Sequence, residues 1–246
     1  MRNFFLIFCF LPFVFPFSFS CAKRPEIVFS KRDIKNPTRY PVVAKVHTLS
    51  KAELRTPTRA IQDLEELLGS YRTGAHLTPE DERYNLNLKK QILRGTFDLR
   101  ELSKLALARH WDTLTGGEQD EFVELLTTLL EERSIFAKER LGENLYRIKY
   151  FGDEFLDSEK KRAQTKTLVT VPSEDISMRI DYRLWNTDGG GWQIYDVIAD
   201  EASLIDNYRY SFDKIVVESG YSELLRRMKV KLQKIREKRQ ATHETK

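Results

Sequence analysis

The hydrophobic period of this 246-residue chain changes from that of a helix to that of a strand and back again, which limits the folds open to it. Apolar residues first recur every three or four positions, as Ile61, Leu64, Leu67 and Leu68, then Leu86, Leu88, Ile92 and Leu93. Leu102, Leu105 and Ala106 follow, and then Phe122, Leu125, Leu126, Leu129, Leu130 and Phe136. Each run has a start signal: Thr58, Thr78 with Pro79 and Asp81, Asp98 with Glu101, and Thr115 with Glu118. The last two have capping-box spacing, so four helices are predicted.

After Gly142 the period drops to two. Tyr146, Ile148 and Tyr150 alternate with basic residues, and Thr167 to Val171 reads as the next strand. Ile176, Met178, Ile180, Tyr182 and Leu184 alternate with Ser177, Arg179, Asp181 and Arg183, giving a strand apolar on one face. A turn over Asn186 to Gly191 leads to a strand over Trp192 to Ala199. Helical spacing returns behind a Ser203 cap, with Tyr208, Phe212, Ile215 and Val216, and again from Tyr221, with Leu224, Leu225, Met228 and Leu232. The predicted class is α+β, with N-terminal and C-terminal helices packed on one face of a curved antiparallel sheet.

The ends differ from this body. Residues 1–21 read as a secretory signal: Arg2, an apolar run from Phe4 to Phe17, then small residues up to Cys21 and Ala22. The run is short for a membrane span and is broken by Pro12 and Pro16. Cys9 leaves with the signal, so Cys21 has no intrachain partner. Cys21 admits two readings, a lipidation site that tethers the protein or part of an ordinary cleavage site that frees it. The place where a lipobox has Leu is Ser18.

Residues 22–58 read as a linker with nine basic and three acidic groups, net +6, and one apolar patch at Val42, Val43 and Val46. Residues 226–246 carry nine and two, net +7, and 229–246 reads as a basic tail. Residues 59–225 carry 22 and 32, net −10, so an acidic body has two basic ends. Basic clusters suit anionic lipid or nucleic acid, and export puts nucleic acid out of reach. Solubility alone is an equally open account of them.

Groups for catalysis are sparse. His47, His76, His110 and His243 are far apart, and there is no HExxH, cysteine cluster or phosphate loop, so no metal and no cofactor is expected. His110 in a last turn suits a helix dipole. Ser203 suits a cap better than a nucleophile. Asp181 alternates out of phase with the apolar face and is expected in solvent. Asp196 shares parity with Trp192, Ile194 and Ile198, and is a candidate for acid–base work, a cap or a salt bridge. The chain is predicted not to be an enzyme. Its apolar faces read as a filled core or as the lining of a cavity for an apolar ligand.

Several stretches together resemble one family. Phe97-Asp98-Leu99, Leu105 through Trp111, Leu114-Thr115 and Glu121-Phe122 are similar to the helical half of the MlaC, or toluene-tolerance, family. Ile180 through Leu184, Gly191 through Val197, and Ser203-Leu204-Ile205 with Asn207-Tyr208-Arg209 and Phe212 are similar to its sheet half. The resemblance covers residues 59–228. It implies a periplasmic phospholipid carrier working between an outer-membrane lipoprotein complex and an inner-membrane ABC transporter complex, with acyl chains held between sheet and helices. The implied lining is Leu105, Phe122, Leu126, Leu129, Val169, Val171, Ile176, Met178, Ile180 and Tyr182. The alternative is a non-carrying adaptor that binds a membrane or a partner through its basic ends. One departure stands out: Ala108 lies where the family often has Gly, which implies a side chain in a close helix contact.

Overall fold

The computed structural model describes residues 56–74, 77–132, 146–173, 175–187 and 191–244, with side chains through Arg239. The signal, Cys21, the apolar patch at Val42 to Val46, Phe136 and His76 lie outside the described residues.

Four helices come first: α1 (Pro57–Leu68), α2 (Pro79–Thr96), α3 (Leu99–Leu107) and α4 (Gly116–Glu132), with a 3-10 segment over Ala108–Thr113. Thr56, not Thr58, caps α1, accepting the Arg59 N–H at 3.1 Å. Pro57 explains the shift, since it fits the first helical position, where no N–H is needed. Thr58 instead donates through its N–H and Oγ1 to Asp153, at 3.3 and 2.8 Å, tying α1 to the sheet. Thr78 and Asp81 form the reciprocal capping box of α2, and Thr115 and Glu118 bond in the same reciprocal way before α4. Asp98 caps α3, but Glu101 does not complete a box. Its carboxylate takes Arg162 Nη2 at 2.8 Å, and the second Asp98 oxygen takes Trp185 Nε1 at 2.8 Å. Charge-assisted contacts to the sheet win over the local cap.

The sheet is an antiparallel meander of β1 (Arg147–Phe155), β2 (Arg162–Val171), β3 (Ile176–Thr187), β4 (Gly191–Ala199) and β5 (Ala202–Ser203), in that order. Two bulges bend it. Phe151 is the extra residue of β1, beside Gly152 at φ +96°, and Tyr195 is the extra residue of β4. β5 is short and leaves the Ile194 stretch of β4, paired with β3 on one side, without a strand on its other edge. The junction of α2 and α3 covers it, with Asp98 N–H donating to Ile194 O at 2.8 Å. That covering removes an open edge.

Two helices close the fold, α5 (Leu204–Ser219) and α6 (Tyr221–Glu244), hinged at Gly220, whose φ of 84° and ψ of 164° suit only glycine. The α6 face bearing Leu224, Met228, Leu232 and Ile235 packs on the core. The stretch read as a basic tail from residue 229 is helical through Glu244, because Lys229 reaches Glu121 and Arg236 and Arg239 reach Glu132. The architecture is α+β, with α1, α2, α3 and α5 all reaching β4.

Candidate functional site

One face of the sheet carries most of the sheet's buried apolar side chains. The β2–β3 register sets Val171 opposite Ile176, Val169 opposite Met178, Thr167 opposite Ile180 and Thr165 opposite Tyr182. Alternation then puts all eight on one face. Leu184 and Ile194 extend it toward β4. Val169, Val171, Met178, Ile180 and Tyr182 are buried, and Ile176 is half-buried.

The helical layer supplies Leu105, Phe122, Leu126 and Leu129. Phe122 is fully buried among helices: it meets Phe212 of α5 edge-on at 5.6 Å and lies tilted to Tyr221 of α6 at 6.5 Å. The Leu105 carbonyl accepts Arg209 Nε at 3.1 Å, so this residue sits where α3 meets α5. All ten expected residues thus belong to one continuous apolar cluster, six on the sheet face and four on the helices.

That face also carries polar groups the sequence reading did not single out. Thr165 and Thr167 are fully buried on it. Thr165 Oγ1 donates to Asp153 at 2.7 Å, and Thr167 Oγ1 donates to the Ile180 carbonyl, so each hydroxyl is satisfied within the sheet. Tyr146 Oη donates to Glu65 Oε2 of α1 at 2.7 Å. Burial first, and then the Glu65 charge, raise the ionisation of Tyr146, Tyr150 and Tyr182 above that of an ordinary phenol. All three therefore remain neutral donors across the physiological range. Odd numbering on β2 was the available signal for Thr165 and Thr167; nothing in the sequence pairs Tyr146 with Glu65.

The residues weighed for acid–base work are all committed elsewhere. Asp181 is buried, not in solvent. It accepts Gln164 Nε2 at 2.8 Å and Arg179 Nε at 3.1 Å, so neighbouring side chains close over it on the outer face. Asp196 is fully buried, and the Tyr195 bulge moves it to the face opposite Ile194, which overturns the parity read from the sequence. It accepts Ser203 Oγ at 2.8 Å, Ile205 N–H at 3.1 Å and Arg183 Nη1 at 3.3 Å. Burial pushes its carboxyl up despite those donors. Ser203 caps α5 by accepting Asp206 N–H at 3.0 Å. His110 lies in the 3-10 segment, its Nε2 at 2.8 Å from Asp213 Oδ1, which also accepts Arg109. Those contacts, more than a helix end, hold the imidazole. What the arrangement presents is a continuous apolar layer between the sheet face and the helices.

A family model described as "MlaC protein" matches residues 62–230, more than two-thirds of the chain. The chain belongs to the MlaC family. The fold agrees. A solved structure of a phospholipid-binding protein from Ralstonia solanacearum, in complex with a phospholipid, superposes with a TM-score of 0.57 at 17% identity. The match covers 72% of this chain and 95% of that one. No curated protein matches this chain. Ala108 has φ 47° and ψ −120°, a backbone state that favours glycine, which by itself accounts for the glycine that the resemblance implied at this position. The close helix contact expected at that point is not needed to explain it.

Proposed function

We propose that this MlaC-family protein is a periplasmic phospholipid carrier that holds acyl chains between the sheet face and the helical layer. The observation that supports it is the continuous apolar cluster between β2, β3 and the helices, in a family with a phospholipid-bound structural neighbour. The energetics favour such a role. Each methylene taken out of water contributes about 0.8 kcal/mol, so two acyl chains supply a large driving force for entering an apolar interior.

In this reading residues 59–228 are the carrier domain and the lining is Leu105, Phe122, Leu126, Leu129, Val169, Val171, Ile176, Met178, Ile180 and Tyr182. The lipid passes between an outer-membrane lipoprotein complex and an inner-membrane ABC transporter complex. The first 21 residues, with their signal layout, support export, and no helix among the described residues is long and apolar enough to cross a membrane. Cys21 decides whether the carrier is tethered by a lipid or diffuses freely. No chemistry is performed on the cargo.

Transfer of a fluorescent phospholipid from quenched donor vesicles to the purified protein tests the proposal. Saturable uptake is expected, and lipid that stays in the vesicles at every protein concentration contradicts it.

A further inference from the structure

The basic charge of α6 is unevenly matched by carboxylates. Arg226 and Arg227 both bind Glu223 of their own helix, at 2.6 and 2.8 Å. Lys229 binds Glu121 at 2.7 Å, and Arg236 and Arg239 share Glu132 at the end of α4. Lys231 and Lys234 differ. Both are exposed, and neither makes an ion pair among the described residues.

Helical spacing puts Lys231 and Lys234 on one stripe, continued by Arg227 a turn before and Lys238 a turn after. Val230, 38% exposed, flanks it. The stripe lies to one side of the packed row Leu224, Met228, Leu232 and Ile235, so docking there would leave the helix seated on its core. The surrounding charge orients it. Residues 226–246 carry net +7 and residues 59–225 net −10, so an anionic plane attracts the α6 end and repels the body.

We infer that the Lys231–Lys234 stripe of α6, with Val230 beside it, is the surface on which this protein docks to an anionic phospholipid bilayer. The inference rests on the carrier reading for its purpose, since a carrier must meet the membranes it serves, and on the charge layout for its chemistry. Lysine ammonium groups attract phosphate headgroups as point charges, and a flanking valine suits the apolar boundary beneath them. The attraction acts within a Debye length of about 8 Å at physiological salt, so it positions the α6 end without holding the protein irreversibly.

The test is co-sedimentation of the full chain with phosphatidylglycerol–phosphatidylcholine vesicles and with pure phosphatidylcholine vesicles, at low and high salt. Binding to the anionic vesicles alone, fading with salt, is expected. Lys231→Gln with Lys234→Gln is expected to weaken it about thirtyfold, from a factor of about five per lysine. Lys104→Gln with Lys214→Gln removes two exposed charges from the body and is expected to leave binding within about twofold. Thermal melts confirm that each variant folds. Equal loss in both double variants, full binding by the α6 variant, or no preference for anionic vesicles each overturns the inference. Phospholipid bound in solution is measured on the same preparations. A protein that docks but carries no lipid refutes the carrier reading alone, and one that carries lipid but does not dock refutes the stripe alone.

Discussion

Asp196 accepts the backbone N–H of Ile205 at 3.1 Å, so a carboxylate on β4 anchors the first turn of the helix that follows the sheet. Removing it leaves that N–H and the Ser203 hydroxyl without their buried partner. Asp196→Ala is expected to cost about 2–3 kcal/mol in urea unfolding, the range for orphaning buried donors. The pH dependence carries a sign. Burial raises the folded carboxyl above its ordinary 3.8, so the stability linked to it is fully present below that pH and is lost as pH climbs through the folded value. Asp196→Asn keeps an acceptor for Ile205 and removes the ionisation. The wild type is therefore expected to lose stability relative to Asp196→Asn as pH rises from below 3.8 toward neutrality. A constant gap across that range would contradict the account.

Ala108 sits at φ 47° and ψ −120°, where a Cβ is strained. Such residues cost about 1–3 kcal/mol, while a glycine costs about 0.5–1 kcal/mol in unfolded-state entropy. Ala108→Gly is expected to raise stability by about 1 kcal/mol, read as a higher denaturation midpoint at unchanged slope. A lower midpoint would mean that the alanine side chain contributes packing worth more than the strain.

Tyr146 and Glu65 link the start of β1 to α1 at 2.7 Å. Tyr146→Phe keeps the ring and removes a bond to a charged group, with an expected cost of about 2 kcal/mol. Since the folded phenol ionises above its ordinary 10.0, its contribution is present below pH 10 and is lost as pH rises further. Unfolding followed above pH 10 is expected to be less steep in the variant, and equal slopes would assign the pH dependence to other groups.

Met178 faces Val169 across the β2–β3 ladder in the middle of the apolar face. In a filled core, Met178→Trp overpacks and costs about 1–3 kcal/mol. In an interior that opens to acyl chains, the indole occupies cargo space instead. The expected result is phospholipid uptake lowered several-fold with the thermal midpoint little changed, and the reverse pattern would move the lining elsewhere.

Much of this fold was legible in residue periods. Period two along β3 named its inner face, and the run of capping residues placed the start of α2 at Thr78 and of α5 at Ser203. Where reading failed, a non-local term decided. The Tyr195 bulge inverts the parity of Asp196, and a one-residue insertion leaves no mark in composition. Glu101 leaves its cap for Arg162, 61 residues away, and Asp181 is buried by Arg179 and Gln164 despite an outward position. The interior was legible as apolar surface, because burial follows residue type. The pairing of Tyr146 with Glu65 was not, because it joins two elements 81 residues apart.

Organic extraction of the purified protein, followed by mass spectrometry and phosphate assay, tests the cargo claim most directly. Phospholipid in a stoichiometric ratio to protein is the predicted result. Protein that carries no phospholipid, and gains none after incubation with vesicles, would contradict it.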